Sequence, residues 1–243
     1  MLLHNSTIMR NIIIASTSTL HDQGYLEYLL PTLSHHFKAG STLIFIPYAR
    51  PSGISHDDYT AKVREAFQSL NIQVKGLHEF ENPKEAIQSA DGIFTGGGNT
   101  FLLVKQLYAH DLIPTIIEAV NQGTPYLGCS AGSNICGLTM ETTNDMPITY
   151  PPSFKTFGFV PFNINPHYLD PIEGSTHMGE TRETRINEFH TINSQPVVGL
   201  REGSWLSVSG NHILLEGALT ARIFEQGQKA YEVEPNTDLS TLK

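Results

Sequence analysis

The string Y-L-G-C-S-A-G-S-N, residues 126–134, contains the spacing G-x-S-x-G with Ser130 at its centre. It follows a short apolar run and precedes small residues that can begin a helix, which is the context of a strand-to-helix turn that exposes a nucleophilic hydroxyl. The amide of Ala131 would then face a developing oxyanion. The string also fits an ordinary Gly/Ser-rich helix entry, so Ser130 is a candidate nucleophile. Cys129 lies one residue early, where a side chain turns inward, and we expect it to be a buried structural thiol.

A second string, F-T-G-G-G-N-T at residues 94–100, also follows a strand-like run and precedes a helical one. It matches neither a Walker A loop nor G-x-G-x-x-G, and alone it fits a flexible turn. Beside a nucleophile elbow, however, an amide from the Gly97–Gly98 region would complete a two-amide oxyanion hole.

A serine nucleophile needs a base, and His167 is the strongest candidate among 11 histidines. It lies in the proline-containing loop N-I-N-P-H-Y, after an apolar run over Phe159–Ile164 that predicts a strand. Sites in open α/β sheets gather at the carboxyl ends of the strands, where this loop would lie. The alternative is an ordinary loop histidine.

Two carboxylates are candidates to orient this base, and the sequence does not choose between them. Asp145 lies in the turn T-T-N-D-M-P, soon after the nucleophile segment, and Glu202 follows the apolar run 196–200. The other carboxylate could hold loops through backbone amides or bind the ammonium group of a peptide substrate, a role that suits an exopeptidase.

The run G-E-T-R-E-T-R-I places Arg182 and Arg185 three residues apart, on one face of a predicted helix. A guanidinium group binds carboxylates bidentately, so these arginines could grip an acidic substrate. The alternative is a salt-bridged surface helix, since three glutamates are nearby. A metal site is a rival chemistry, but its possible ligands fit no zinc spacing: His167, His177, Glu180 and His190.

The surrounding pattern predicts an α/β fold with three layers. Strand-like and helix-like runs alternate up to about Met140, which favours a mostly parallel sheet with helices on both faces. Late strands at Pro196–Leu200, Trp205–Val208 and His212–Leu215 predict an antiparallel edge meander. We expect one domain over residues 1–243, with about 234–243 as a C-terminal tail.

Composition excludes several classes of function. The chain has 243 residues, 40% of them hydrophobic, and a net charge of -9, which opposes binding to nucleic acid. No run approaches the roughly 20 apolar residues that span a bilayer. Two cysteines form no disulfide framework and favour a reduced, cytoplasmic location. The oligomeric state, monomer or homodimer, stays open.

Five strings carry a family resemblance: G-G-G-N-T-F, G-C-S-A-G-S-N, T-T-N-D-M-P-I, I-N-P-H and G-E-T-R-E-x-R-I. In this order they resemble peptidase E, the α-aspartyl dipeptidase family of serine peptidases, from Thr17 to about Glu216. The resemblance implies a fold similar to class I glutamine amidotransferases, with Ser-His-Glu in place of Cys-His-Glu. It also implies cytoplasmic hydrolysis of dipeptides with an N-terminal aspartate, without a metal or organic cofactor.

The resemblance also implies roles for particular residues. Ser130 matches the nucleophile, His167 the base and Glu202 the residue usually drawn as the third member, while Asp145 matches an aspartate that has also been assigned to the charge relay. The oxyanion donors match Gly98 and Ala131, and the substrate contacts are Arg182, expected to grip the aspartate side chain, and Asn99.

We therefore expect covalent hydrolysis of Asp-X dipeptides through an aspartyl-enzyme, with Glu202 favoured as the orienter of the base. Two alternatives remain at this point. One is a hydrolase of the same fold that acts on another acidic amide, such as an aspartate polymer. The other is a non-catalytic relative that binds a small molecule.

Overall fold

The strands form where short β-branched or aromatic runs alternate with turns, as the sequence predicts. The computed structural model describes residues 8–171, 174 and 178–243. The strands are β1 Asn11–Ala15, β2 Thr42–Ile46, β3 Gln73–Gly76, β4 Gly92–Thr95, β5 Tyr126–Cys129, β6 Asn163–Pro166, β7 Val197–Leu200, β8 Ser204–Ser209, β9 His212–Gly217, β10 Ala221–Phe224 and β11 Tyr231–Val233. The α-helices are α1 Leu30–His36, α2 His56–Gln68, α3 Pro83–Gln88, α4 Thr100–Ala109, α5 Ile113–Asn121, α6 Ala131–Asn134 and α7 Arg182–Phe189.

Seven strands form the main sheet in the order β3-β2-β4-β5-β1-β8-β9. Strands β1 to β5 pair in parallel, whereas β8 and β9 add an antiparallel edge next to β1. This confirms the prediction of a mostly parallel sheet with an antiparallel margin. Strand β5, which ends directly before Ser130, lies between β4 and β1, so the segments after these three strands meet at one edge.

Helices cover both faces of this sheet. Alternate residues of β1 belong to two separate buried clusters, with Ile12 and Ile14 in one and Ile13 in the other. The first cluster includes residues of α3, α4 and α5, and the second includes residues of α1 and α2. Both faces of the central strands are therefore buried, which explains why their sequences are continuously apolar.

A second sheet of four strands, in the order β11-β10-β7-β6, was not predicted. The run Pro196–Leu200 was expected in the edge meander, and this was wrong: β7 pairs with β6 and β10. The strand expected over Phe159–Ile164 lies later, at Asn163–Pro166. Residues of both sheets share the first buried cluster, so β6 and β7 are packed onto the main sheet.

The last ten residues were expected to form a C-terminal tail, but they pack along β9. Leu239 is 5% exposed and belongs to the first buried cluster, and its amide donates to the Ile213 carbonyl. Among the helices of the described residues, none is long and apolar enough to cross a membrane.

Candidate active site

Ser130 sits at the bend between β5 and α6 with φ 58° and ψ -114°. This is a sparsely populated conformation for a residue with a side chain. The bend is so tight that a Cβ on Gly132 would collide with the carbonyl of Thr95 in the neighbouring strand. The sequence-predicted elbow therefore has its expected physical basis: small neighbours let the chain reverse sharply and expose Oγ.

His167 follows β6, also with a positive φ of 53°. Its Nε2 lies 2.8 Å from Ser130 Oγ, and its Nδ1 lies 2.6 Å from Glu202 Oε1. Glu202 is in the turn between β7 and β8. Three residues from distant segments of the chain thus form one continuous line of hydrogen bonds.

Asp145 has different partners. Its Oδ2 accepts hydrogen bonds from the backbone amide and hydroxyl of Thr100, both at 2.7 Å, and from the hydroxyl of Thr143 at 3.2 Å. The carboxylate is therefore tied to the first turn of α4, where the helix dipole favours negative charge. Of the two acids that the sequence left open, Glu202 is the one paired with His167.

The glycine loop lies directly against the serine. A Cβ on Gly97 would stand 2.8 Å from Ser130 Cβ, so only glycine fits there without displacing the serine. The Gly97 amide donates to the Tyr59 hydroxyl at 3.0 Å. Among the described residues, by contrast, neither the Gly98 amide nor the Ala131 amide has a hydrogen-bond acceptor. Both amides are available to an oxyanion.

Asn99, expected to contact substrate, uses both ends of its side chain within the protein. Its Oδ1 caps α4 by accepting from the Leu102 amide at 3.0 Å, and its Nδ2 donates to the Met146 carbonyl at 2.8 Å. The side chain thus joins the glycine loop to the segment that carries Asp145.

Arg182 is the first residue of α7, which is capped by Thr181. Burial, and then the nearby charge of Arg185, lower the pKa of Arg182, while Asp145 raises it. The side chain of Arg185 is exposed, and its Nε lies 3.6 Å from Glu180 Oε2. Of the two arginines, Arg182 is the less exposed.

Two of the four residues of the metal alternative, His167 and His190, have other hydrogen-bond partners. His167 is engaged by Ser130 and Glu202, and the Nε2 of His190 lies 2.9 Å from the Gln195 carbonyl oxygen. His177 lies outside the described residues. Within the part of the chain that is described, no group of three or more His, Cys, Asp or Glu side chains could hold a metal ion.

Cys129 is fully buried at the end of β5, and burial raises the pKa of its thiol above the ordinary range. A buried, protonated thiol is a poor nucleophile. The expectation that Cys129 is buried is confirmed.

Sequence reasoning missed the residues that hold the histidine loop in place. Ser16, directly after β1, accepts from the His167 amide at 2.9 Å and donates to the Leu200 carbonyl at 2.7 Å. Asn144 donates to the Pro166 carbonyl at 2.7 Å. The signal for Ser16 was available, because it is a small polar residue that ends a central strand at the same edge as the elbow.

An elbow serine, a histidine and a carboxylate joined in this way at the carboxyl edge of a parallel sheet are the arrangement of serine hydrolases. The sequence model of Peptidase family S51 matches residues 12–216. The chain belongs to this family and is a peptidase, a hydrolase of peptide bonds.

Relatives of nearly equal length support this assignment. A Streptomyces coelicolor protein named Peptidase E is 49% identical over 232 residues, which cover 96% of this chain and 94% of that protein. A Drosophila melanogaster protein named "Probable alpha-aspartyl dipeptidase" is 46% identical over 236 residues, covering 96% and 97%. The crystal structure of a peptidase from an acI-B1 actinobacterium matches with a TM-score of 0.70 and 17% identity, over 96% of this chain and 97% of that one, which supports the fold alone.

Proposed function

We propose that this protein is a serine dipeptidase that hydrolyses dipeptides with an N-terminal aspartate. The observation that carries the proposal is the line Ser130–His167–Glu202, with hydrogen bonds of 2.8 and 2.6 Å, at the carboxyl edge of the sheet. Asp145 and Arg182, whose pKa responds to the charge of Asp145, support the substrate class, because one carboxylate and one guanidinium group match the ammonium group and the side chain of an N-terminal aspartate. The names of the relatives agree with this class.

In the proposed mechanism, Ser130 Oγ attacks the carbonyl carbon of the aspartyl residue and passes its proton to His167 Nε2. Glu202 holds the imidazole through Nδ1 and stabilises its charged form. The amides of Gly98 and Ala131 bind the oxyanion, a contribution of about 3–4 kcal/mol for one donor in well-studied cases. His167 then protonates the leaving amine, and water, deprotonated by His167, hydrolyses the ester and restores Ser130.

The substrate is proposed to bind through two opposite charges. Asp145, already held by α4, accepts the ammonium group, and Arg182 binds the side-chain carboxylate. Asn99 acts on this site by holding the two loops together rather than by reaching the substrate. We further propose a cytoplasmic enzyme, consistent with two free, buried cysteines, that acts on small peptides as a monomer or homodimer.

Kinetics of three site variants and one control variant test the proposal on Asp-Leu, Glu-Leu and longer Asp-containing peptides. We expect Ser130→Ala to lower kcat by about 10³-fold or more, with the exposed Ser34→Ala as a control of unchanged activity. Glu202→Gln should lower kcat, whereas Asp145→Asn should act mainly on KM.

Activity of Ser130→Ala within tenfold of wild type would contradict the proposed nucleophile. Faster cleavage of Glu-Leu or of longer peptides than of Asp-Leu would favour the hydrolase of another acidic amide instead. Failure of a serine-directed acylating probe to label folded wild type would likewise contradict Ser130 as the nucleophile.

A further inference from the structure

We propose that Arg201 is a positioning residue for the reaction, because it ties the loop that carries His167 to the turn that carries Glu202. Arg201 directly precedes Glu202 in the chain and touches neither Ser130 nor the ring of His167. The proposal rests on the proposed function in one respect: it takes Ser130, His167 and Glu202 as the reacting line.

One arm of Arg201 holds the histidine loop. Its Nε and Nη2 donate to the two carboxylate oxygens of Asp170 at 2.9 and 2.8 Å, a bidentate fork that fixes angle as well as distance. The guanidinium group also lies 5.4 Å from the ring centre of Tyr168. Asp170 is three residues after His167, so this fork clamps the loop just beyond the base.

The other arm anchors Arg201 on the second sheet. Nη1 donates to the Thr220 carbonyl at 2.9 Å, and Nη1 and Nη2 donate to the two oxygens of Glu232 at 2.8 and 3.0 Å. Burial acts to raise the pKa of Glu232, but hydrogen bonds from Arg201, Thr220 and Arg222 outweigh it and lower the pKa to about 2. Glu232, on β11, lies beyond residues 12–216 that the family model matches.

The position of Glu202 is proposed to depend on the fork between Arg201 and Asp170. Among the described residues, the Glu202 carboxylate has His167 as its one hydrogen-bond partner, and 47% of its side chain is exposed. Its position is therefore set by the backbone that follows Arg201. Arg201 itself is only 15% exposed, so water and salt weaken its ion pairs less than those of a surface pair. A small displacement of either loop would lengthen the 2.6 Å bond to His167, and small misplacements are costly in catalysis.

The test compares the two arms of Arg201 in the full-length protein. We expect Arg201→Gln and Asp170→Asn each to lower kcat on Asp-Leu about tenfold or more, with KM changed by less than about threefold. Glu232→Gln is the matched control, because it removes an equal charge from Arg201 but leaves the fork to Asp170. Its kcat should stay within about threefold of wild type, and the Arg201→Gln/Asp170→Asn double variant should be no slower than the worse single variant.

Two further readouts separate positioning from a general loss of structure and from failure of the proposed substrate. The low-field proton resonance of His167 Nδ1–H, identified by its absence in Glu202→Gln, should weaken in Asp170→Asn and persist in Glu232→Gln. The rate of labelling by a serine-directed acylating probe should follow the same order, whether or not Asp-Leu is a substrate.

Arg201→Lys keeps the charge but lacks the fork, so it should restore less than half of the lost kcat. The proposal is overturned if Asp170→Asn keeps both wild-type kcat and the His167 resonance, or if Glu232→Gln loses activity as severely as Asp170→Asn. Asp170 is half exposed, so its variant is expected to fold and to give an answer even if Arg201→Gln does not.

Discussion

At the scale of single residues, the site stores strain where the chemistry is proposed to occur. Ser130 has a backbone conformation that side chains rarely adopt, and conformations of this kind cost about 1–3 kcal/mol. The structure around it accounts for its persistence. The carbonyl of Ser130 accepts from the amides of Ser133 and Asn134, both at 2.9 Å, and its own amide donates to the Ala15 carbonyl at 3.3 Å.

This strain predicts a difference between two inactive variants. Ser130→Gly removes the Cβ and relieves the strain at φ 58°, whereas Ser130→Ala keeps it. We expect the glycine variant to be more stable than the alanine variant by about 1 kcal/mol in urea unfolding. The pair is its own control, since both lack the hydroxyl. Equal or reversed stabilities would show that the bend imposes no strain on Ser130.

The sequence predicted the residues of the elbow better than the roles of the acids. Spacing and local context make Ser130 a candidate nucleophile, because small neighbours and a preceding strand are local features. Local features do not distinguish Glu202 from Asp145, because each lies in a turn and each turn is expected at the carboxyl edge of the sheet. The difference arises from tertiary position: α4 presents Thr100 to one acid, and β6 presents His167 to the other.

At the scale of elements, the main sheet could be predicted and the second sheet could not. Strands β1, β2, β4 and β5 are apolar runs between turns, and each carries its signal locally. Strand β6 reads N-I-N-P, with two polar residues and a proline that weaken the strand pattern. The side-chain amides of its buried asparagines instead donate to groups distant in the chain: Asn165 Nδ2 donates to the Thr142 carbonyl at 2.8 Å. Such partners are invisible in one sequence.

The packing of the C-terminal segment should make a measurable contribution to the free energy of unfolding. Leu239 is 5% exposed, and Leu219 nearby in the chain is 44% exposed. We expect Leu239→Ala to lower the free energy of unfolding by about 2–4 kcal/mol, because it leaves a cavity in the main core. Leu219→Ala should change it by less than about 0.5 kcal/mol. Similar values for the two variants would mean that residues 234–243 behave as a loose tail, and neither change should alter kcat.

At the scale of the whole molecule, four of the seven arginines lie in one region of this acidic chain. The net charge is -9, yet Arg182, Arg185, Arg201 and Arg222 all belong to α7 or to the second sheet and its turns. These arginines differ in their partners. Arg201 and Arg222 are paired with carboxylates, including Glu232 at 2.8 and 3.0 Å, and strengthen the frame. The partly buried Arg182 has Asp145 in its neighbourhood and is proposed to bind the acidic substrate.

Folding stability should also depend on pH through one histidine far from the site. Burial lowers the pKa of His36 to about 4, despite its contact with the Tyr126 carbonyl oxygen at 3.1 Å. The unfolded chain, with an ordinary histidine pKa near 6.5, binds more protons between these two values. This part of the stability is therefore present above about pH 6.5 and is lost as the pH falls towards 4, by up to about 3 kcal/mol.

Urea unfolding of two glutamine variants isolates this contribution from that of the carboxylates. His36→Gln does not titrate, so its stability relative to wild type should rise as the pH is lowered from 7 to 4. The exposed neighbour His35 provides the control, and the difference between His35→Gln and wild type should stay nearly constant over the same range. Parallel pH profiles for wild type and His36→Gln would mean that His36 becomes protonated in the folded protein as easily as in the unfolded chain, and that the contact between α1 and β5 tolerates the charge.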